Sequence, residues 1–213
     1  MKHIIKCSEP QAFADWKDQA NEDWQPDYGD LSGAPKEAVK EALMKEQGYL
    51  CCYCERRLTD EDSHIEHLMP QSDPAVDPLN FANMLCSCQK LLKKGEPRHC
   101  GNLKDDWYDA ALLISPFDSD CESRFAFMGN GVIKPSILTL TDTAATETIK
   151  RLGLNIPKLN ALRVSAIEPF LEETLNEEEL RQFVSGYLEK DANGRHGEFW
   201  TTIRYLFGDY VSA

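Results

Sequence analysis

Cys51-Cys52-Tyr53-Cys54 opens a segment that continues as Ser63-His64-Ile65-Glu66-His67-Leu68-Met69-Pro70 and closes as Asn83-Met84-Leu85-Cys86-Ser87-Cys88. A Cys-x-x-Cys knuckle thus precedes an acidic residue joined to a histidine, with an asparagine and more cysteines a short way on. Structural zinc takes four Cys or His ligands in a tetrahedron, commonly as two short-spaced pairs. Cys51 and Cys54 form the first pair, because two intervening residues let one turn aim both thiolates inward. Cys88 with Cys100 is the second, the basic loop between them being an insertion. Cys86 and Cys88 have one residue between them, a poor geometry for sharing an ion. His99 is the alternative to Cys100, and Cys86 the alternative to Cys88.

Composition agrees with metal rather than disulfides. Six of the eight cysteines lie between Cys51 and Cys100, leaving Cys7 and Cys121 outside as expected small buried hydrophobes. The start of the chain lacks the long apolar core of a signal peptide, and no run of roughly 18 apolar residues is present. The expected location is therefore a reducing cytoplasm, where clustered cysteines bind metal. At 213 residues the chain is long enough for one domain, or one core with appendages.

Charge argues for restraint about polyanion binding. The formal net charge is −13, and an acidic surface repels the phosphates that Lys and Arg normally neutralise. One run departs from this: Lys90, Lys93, Lys94, Arg98 and Lys104 face a single acid, Glu96. Local capture of nucleic acid next to the cysteine cluster fits this distribution, with a partner supplying further affinity.

Phe13, Trp16, Ala20 and Trp24 recur at helical spacing, which predicts a helix within residues 8–29. A second is predicted from Pro35 to Gln47, ended by Gly48. Ser63 to Leu68 alternates like a short strand, a Pro-rich loop follows, and Asn80 to Leu92 reads as a short helix. The knuckle, the strand and that helix together make a ββα-metal unit. Phe125 to Ile133 suggests a hairpin around Gly129-Asn130-Gly131. Helices are predicted near 142–152, from Asn155 to a break at Pro169, and around 177–188 and 198–206. The expected class is mostly α with a small zinc-stapled ββα-metal core, α+β. Its segments are 1–48 (N-terminal helical), 49–135 (core) and 136–213 (C-terminal helical).

His67 is the candidate general base, since a neutral imidazole can take a proton from water attacking phosphorus. Glu66 beside it is the candidate ligand for Mg²⁺ or Mn²⁺, provided the strand ends or bends there. Asn83 is expected to hydrogen-bond across the loop and fix the tautomer and orientation of His67. Any one of these residues alone is ordinarily a surface polar group. Their spacing beside a knuckle favours phosphodiester hydrolysis.

On these residues the chain resembles the HNH nucleases. It is more similar to the PtuB-like nucleases of Septu antiphage defence, including retron-associated ones. That likeness rests on Tyr53-Cys54-Glu55-Arg56-Arg57, Glu66-His67, Ser87-Cys88-Gln89, His99-Cys100-Gly101, Ile114-Ser115-Pro116 with Cys121-Glu122, and Leu152-Gly153-Leu154-Asn155. The resemblance implies a bacterial defence endonuclease cutting DNA or RNA beside a PtuA-like ATPase. Phe199, Trp200, Ile203, Leu206 and Phe207 are the expected docking surface for that ATPase. The chain departs from the wider pattern by Glu66 in place of Asp, and by Gly101 where a metal-binding His usually follows the knuckle. Asn102, Asp105, His99 and His64 are the candidates for the missing ligand. The alternative reading is a zinc-knuckle subunit that binds nucleic acid or protein without cutting. It would need the cysteines but not His67. A zinc deaminase fits poorly, because its His-x-Glu and Pro-Cys-x-x-Cys elements are absent in the required order.

Overall fold

The computed structural model describes residues 1–136, 142–172 and 174–212. Helix α1 (Gln11–Lys17) is shorter than the aromatic spacing suggests. Past it the chain turns on Asn21, whose Oδ1 accepts the backbone N–H groups of Asp23 at 2.9 Å and Trp24 at 3.1 Å. Trp24 then returns edge-on to Trp16, so the aromatics still meet, outside one helix. Helix α2 (Gly33–Glu46) begins two residues before Pro35 and buries Val39, Leu43 and Met44. Gly48 ends it at φ 60, and a Cβ there would lie 2.3 Å from the His196 ring. Both the left-handed backbone and the packing therefore require glycine.

The central unit is two antiparallel strands and a short helix. Strand β1 (Ser63–His67) pairs with β2 (Met84–Cys88) in the register Ser63↔Cys88 through His67↔Met84. Helix α3 (Gly101–Lys104) follows. This corrects the helix expected over Asn80 to Leu92. Asn80 caps only a 3-10 turn, Phe81–Asn83, and the chain then extends as β2. All five β2 residues are buried, so the strand shows none of the alternation that marks a half-exposed one. The knuckle is a turn rather than a strand, bracketed by a single bridge between Leu50 and Arg57.

A hairpin forms as expected, β3 (Phe125–Phe127) against β4 (Ile133–Pro135). Helices α4 (Thr143–Arg151), α5 (Pro157–Ile167), α6 (Glu177–Leu188), α7 (Trp200–Phe207) and α8 (Asp209–Ser212) complete the described chain. Asn176 and Glu179 close a reciprocal capping box on α6. The result is α+β, with two small antiparallel sheets among the described residues. No helix there is long and apolar enough to cross a membrane.

One apolar core surrounds the knuckle and sheet; a second gathers Ile167, Phe170, Val184, Ile203 and Phe207. Phe199, Trp200, Ile203 and Phe207 are all buried within the chain, which corrects their expected role as a docking face. Their area is spent on internal packing. The C-terminal helices are also tied to the knuckle. Directly after Cys54, Glu55 takes φ 63 and buries its carboxylate under α7. The Thr201 N–H donates to Glu55 Oε2 at 2.8 Å, and the Thr201 hydroxyl donates to Oε1. The Met1 α-ammonium lies 2.8 Å from Oε1. Burial pushes this carboxyl up, but the ammonium and the Thr201 bonds outweigh it and hold the group below its ordinary range.

Candidate active site

Cys51, Cys54, Cys88 and Cys100 converge with their sulfurs all within 4.8 Å of one another, and all four are buried. The Cys54 and Cys88 sulfurs are 3.7 Å apart. A tetrahedron with Zn–S near 2.3 Å has edges of about 3.8 Å, so the spacing suits zinc. Burial alone would push the Cys51 thiol up, yet hydrogen bonds from the surrounding sulfurs hold it well below its ordinary value. Four buried sulfurs gathered at this spacing, with the Cys51 and Cys54 thiols lowered and those of Cys88 and Cys100 pushed up, are the donor set of a structural zinc site, which would take all four as thiolates. Backbone geometry serves the cluster too: Glu55, Gln89 and Cys100 all have positive φ, turning the chain at three corners of the cage.

The two alternatives fall outside the quartet. His99 Nδ1 lies 3.1 Å from the Cys100 sulfur and 3.8 Å from that of Cys88, beside the cage as a hydrogen-bond partner. Cys86 is a buried thiol pushed up to about 12 by burial, and Cys121 is pushed to about 12 for the same reason. Cys7 is exposed, contrary to the buried role expected of it.

Glu66 sits in β1 and divides its two oxygens between different neighbours. Oε1 accepts the Tyr53 hydroxyl at 3.1 Å and lies 3.0 Å from Lys104 Nζ. Oε2 faces His64 Nε2 at 3.7 Å. Residues two apart on a strand share a face, which places His64 and Glu66 side by side. Burial pushes the Glu66 carboxyl up, but the facing His64 imidazole and the Lys104 ammonium outweigh it and hold the group below its ordinary range, so it remains a carboxylate. Across from the pair stands Gly101, where a Cβ would come within 2.3 Å of Oε2 and 3.0 Å of His64 Nε2. The residue missing from the helix leaves the space that His64 enters from the strand.

Two other candidates for the missing ligand are engaged elsewhere: Asn102 donates its side-chain amide to the Gln89 carbonyl at 2.5 Å, and His99 borders the sulfur cage. A carboxylate oxygen and an imidazole facing an open side suit a divalent cation that keeps several waters.

His67 is the next and last residue of β1, where the Tyr28 ring meets it edge-on at 4.7 Å between centroids. Its Nε2 is 2.9 Å from the Pro78 carbonyl, and its Nδ1 is 2.9 Å from the Gln71 side-chain amide. A proton on Nε2 satisfies both contacts, leaving the Nδ1 lone pair as acceptor. Burial lowers the His67 pKa; the Pro78 contact and the nearby Glu66 charge oppose this without overcoming it. Asn83 does not touch His67, which corrects the expected contact. Its side chain instead clamps the Met69 backbone, Oδ1 to N and Nδ2 to O, both at 2.9 Å. The clamp closes the Pro-rich loop that carries Pro78 and Gln71, so Asn83 acts on His67 through that loop.

Tyr53, Lys104, Tyr28 and Gln71 are site residues that sequence reasoning missed. Lys104 was counted in the basic run, but it is buried and also donates to the His67 carbonyl at 2.9 Å. Its position one helical turn past Cys100 was the available signal. For Tyr28, which arrives from a separate segment, the sequence offers none.

No protein-family model matches the chain. A protein of Vibrio cholerae serotype O1 biovar El Tor, named as a candidate HNH endonuclease of retron Vc95, is 31% identical over 138 residues. The match covers 62% of this chain and 65% of that protein, just under two thirds of the relative's length. The name is that of an HNH endonuclease, and the four buried cysteines of this chain are placed to hold a metal ion such as zinc.

Proposed function

We propose that the chain is a metal-dependent HNH endonuclease hydrolysing phosphodiester bonds of nucleic acid. In this reading it is the effector of a Septu-type, retron-associated defence system with a PtuA-like ATPase. The observation that carries the nuclease reading is the convergence of His64 Nε2 and Glu66 Oε2 opposite Gly101, next in the strand to a histidine whose Nε2 is held by the Pro78 carbonyl and whose Nδ1 meets only the Gln71 side chain. A non-catalytic zinc knuckle has no use for that arrangement. The defence setting and the ATPase rest on the resemblance of the motifs and on the name of the Vibrio relative.

Cys51, Cys54, Cys88 and Cys100 would hold zinc, which would staple the turn to β2 and α3. Glu66 and His64 would hold Mg²⁺ or Mn²⁺, which would supply positive charge to the phosphate and the leaving oxygen. The Pro78 carbonyl holds the His67 proton on Nε2. Water displaces Gln71 from Nδ1, and Nδ1 takes the proton as the water oxygen attacks phosphorus. The phosphorus–oxygen bond to the leaving sugar then breaks, and the departing oxygen takes a proton from solvent. Lys104 balances the Glu66 charge on Oε1 and leaves Oε2 directed at His64.

Reconstitution with the ATPase tests this reading, with plasmid DNA and tRNA as substrates and Mg²⁺ or Mn²⁺ supplied. Cleavage by the wild type that His67→Ala abolishes is the expected result. Equal cleavage by the two proteins would remove His67 from the mechanism.

A further inference from the structure

A groove of about 1040 Å³ runs between α2 and the outer edge of β1. Its walls gather Lys36 and Lys40 from α2, Arg57 from beyond the knuckle, Lys90 from just past β2, and Arg195 from the loop before α7. Three carboxylates share the lining, so the groove carries surplus positive charge on a chain at −13. None of the five cations forms a salt bridge among the described residues. Arg57 spends its guanidinium on the Gly48, Tyr49 and His196 carbonyls and Lys40 donates to the Asp60 carbonyl, while Lys36, Lys90 and Arg195 are exposed and offer an anion a local excess of positive charge.

The groove leads to the candidate active site. Ser63, His64 and Ile65 lie along it, so it reaches the imidazole facing Glu66. Tyr28 lines it and also packs edge-on against His67. Tyr49 lies further along, with the Arg195 guanidinium 5.3 Å from its ring centroid. Cations that meet phosphates, interleaved with aromatic faces that accept bases, are how proteins track single strands. The volume also sits at the upper limit of the roughly 300–1,000 Å³ typical of small-molecule pockets, which favours a longer ligand.

We propose that this groove binds the phosphodiester backbone of a single nucleic-acid strand and delivers it to His64, Glu66 and His67. The inference rests on the nuclease reading above and adds the path of the substrate. The basic run after β2 contributes Lys90 to the groove, whereas Lys104 is consumed inside the site. The remaining groove cations come from elsewhere in the chain.

The test uses full-length His67→Ala protein, which leaves its ligand whole. Labelled single-stranded DNA and RNA oligomers are titrated by fluorescence anisotropy across a range of KCl concentrations. The combined Lys36→Glu, Lys90→Glu and Arg195→Glu variant is compared with Lys134→Glu, Lys150→Glu and Arg151→Glu, an equal charge change away from the groove. The groove variant should bind roughly tenfold more weakly or worse. Its slope of log affinity against log salt should flatten by roughly two, given about 0.7 per phosphate contact for single strands. The control should keep its slope, and the tighter of the DNA and RNA arms assigns the sugar. Equal weakening in both variants, an unchanged slope in the groove variant, or no binding to either oligomer at low salt overturns the proposal. Hydrolysis of bis(p-nitrophenyl) phosphate with Mn²⁺ by the groove variant in a wild-type His67 background separates the two readings, since so small a diester needs no groove. If that hydrolysis persists while strand binding ignores the groove charges, the groove inference alone falls. If the wild type cannot hydrolyse the small diester, the nuclease reading falls instead.

Discussion

His64 and Glu66 stand two residues apart on one face of β1 and bring Nε2 within 3.7 Å of Oε2, in space that any side chain at Gly101 would take. Gly101→Ala should therefore push the Glu66 carboxylate aside. Affinity for Mn²⁺ should fall about 10- to 100-fold, the usual cost of disturbing the support of a metal site. Zinc content should be unchanged. Calorimetric Mn²⁺ titration and metal analysis read the two effects separately, and unaltered Mn²⁺ affinity would argue against this pair as ligands.

Zinc should be present at about one ion per chain. Cys54→Ser should lose it together with solubility and thermal stability, because metal-binding energy in such knuckles is folding energy. His99→Ala should retain zinc, since its ring borders the cage without joining the four sulfurs. Metal analysis of the purified variants decides this, and zinc retained by Cys54→Ser would contradict the assignment.

Asn83→Ala removes both bonds to Met69 and leaves half-buried backbone groups without their side-chain partner. The expected cost is about 1–3 kcal/mol of stability by denaturant unfolding. His67→Ala also removes two bonds and a ring contact and should cost stability of the same order, but in addition on the order of a hundredfold to ten-thousandfold in cleavage rate. The contrast distinguishes a residue that holds the loop from one that moves a proton.

Burial lowers the His67 pKa from its ordinary 6.5. The sign follows directly: a base with a lowered pKa stays unprotonated, and so active, to more acidic pH. The acid limb of kcat/KM should therefore lie below pH 6.5, with no further gain from His67 above it. A profile recorded at saturating Mn²⁺ with a limb centred above that value would exclude this histidine as the base.

The cysteine quartet was legible from spacing alone, because a knuckle is local and its ligands announce themselves by residue type. Helices α2, α4, α5 and α6 were legible from apolar period, and α2 also from Gly48 just past its end. Strand β2 was not, since burial of Met84 through Cys88 on both faces erases the period-two signal. The partners of Glu66 were hidden for a related reason. Tyr53, His64 and Lys104 reach it from a turn, a strand and a helix, and only the folded register brings them to one carboxylate. Gly101 read in sequence as a missing ligand, and its physical meaning as vacated space emerged only in three dimensions.

Glu55 and Thr201 are separated by 146 positions, and their bond imposes an order on the making of the protein. A ribosome adds about 5–20 residues per second, so on the order of ten seconds passes between the two. All four zinc cysteines have been made well before Thr201. During that interval the carboxylate beside Cys54 has the Met1 ammonium but lacks both Thr201 bonds and the helix that buries it, so the turn should stay loose. The last helices then act as a completion signal, and a prematurely released fragment should carry the motif without a settled active centre. Ribosome-bound chains arrested before and well after Thr201 would reveal this as a late gain of protease resistance around the knuckle. Resistance already present in the shorter chains would mean that the knuckle matures alone.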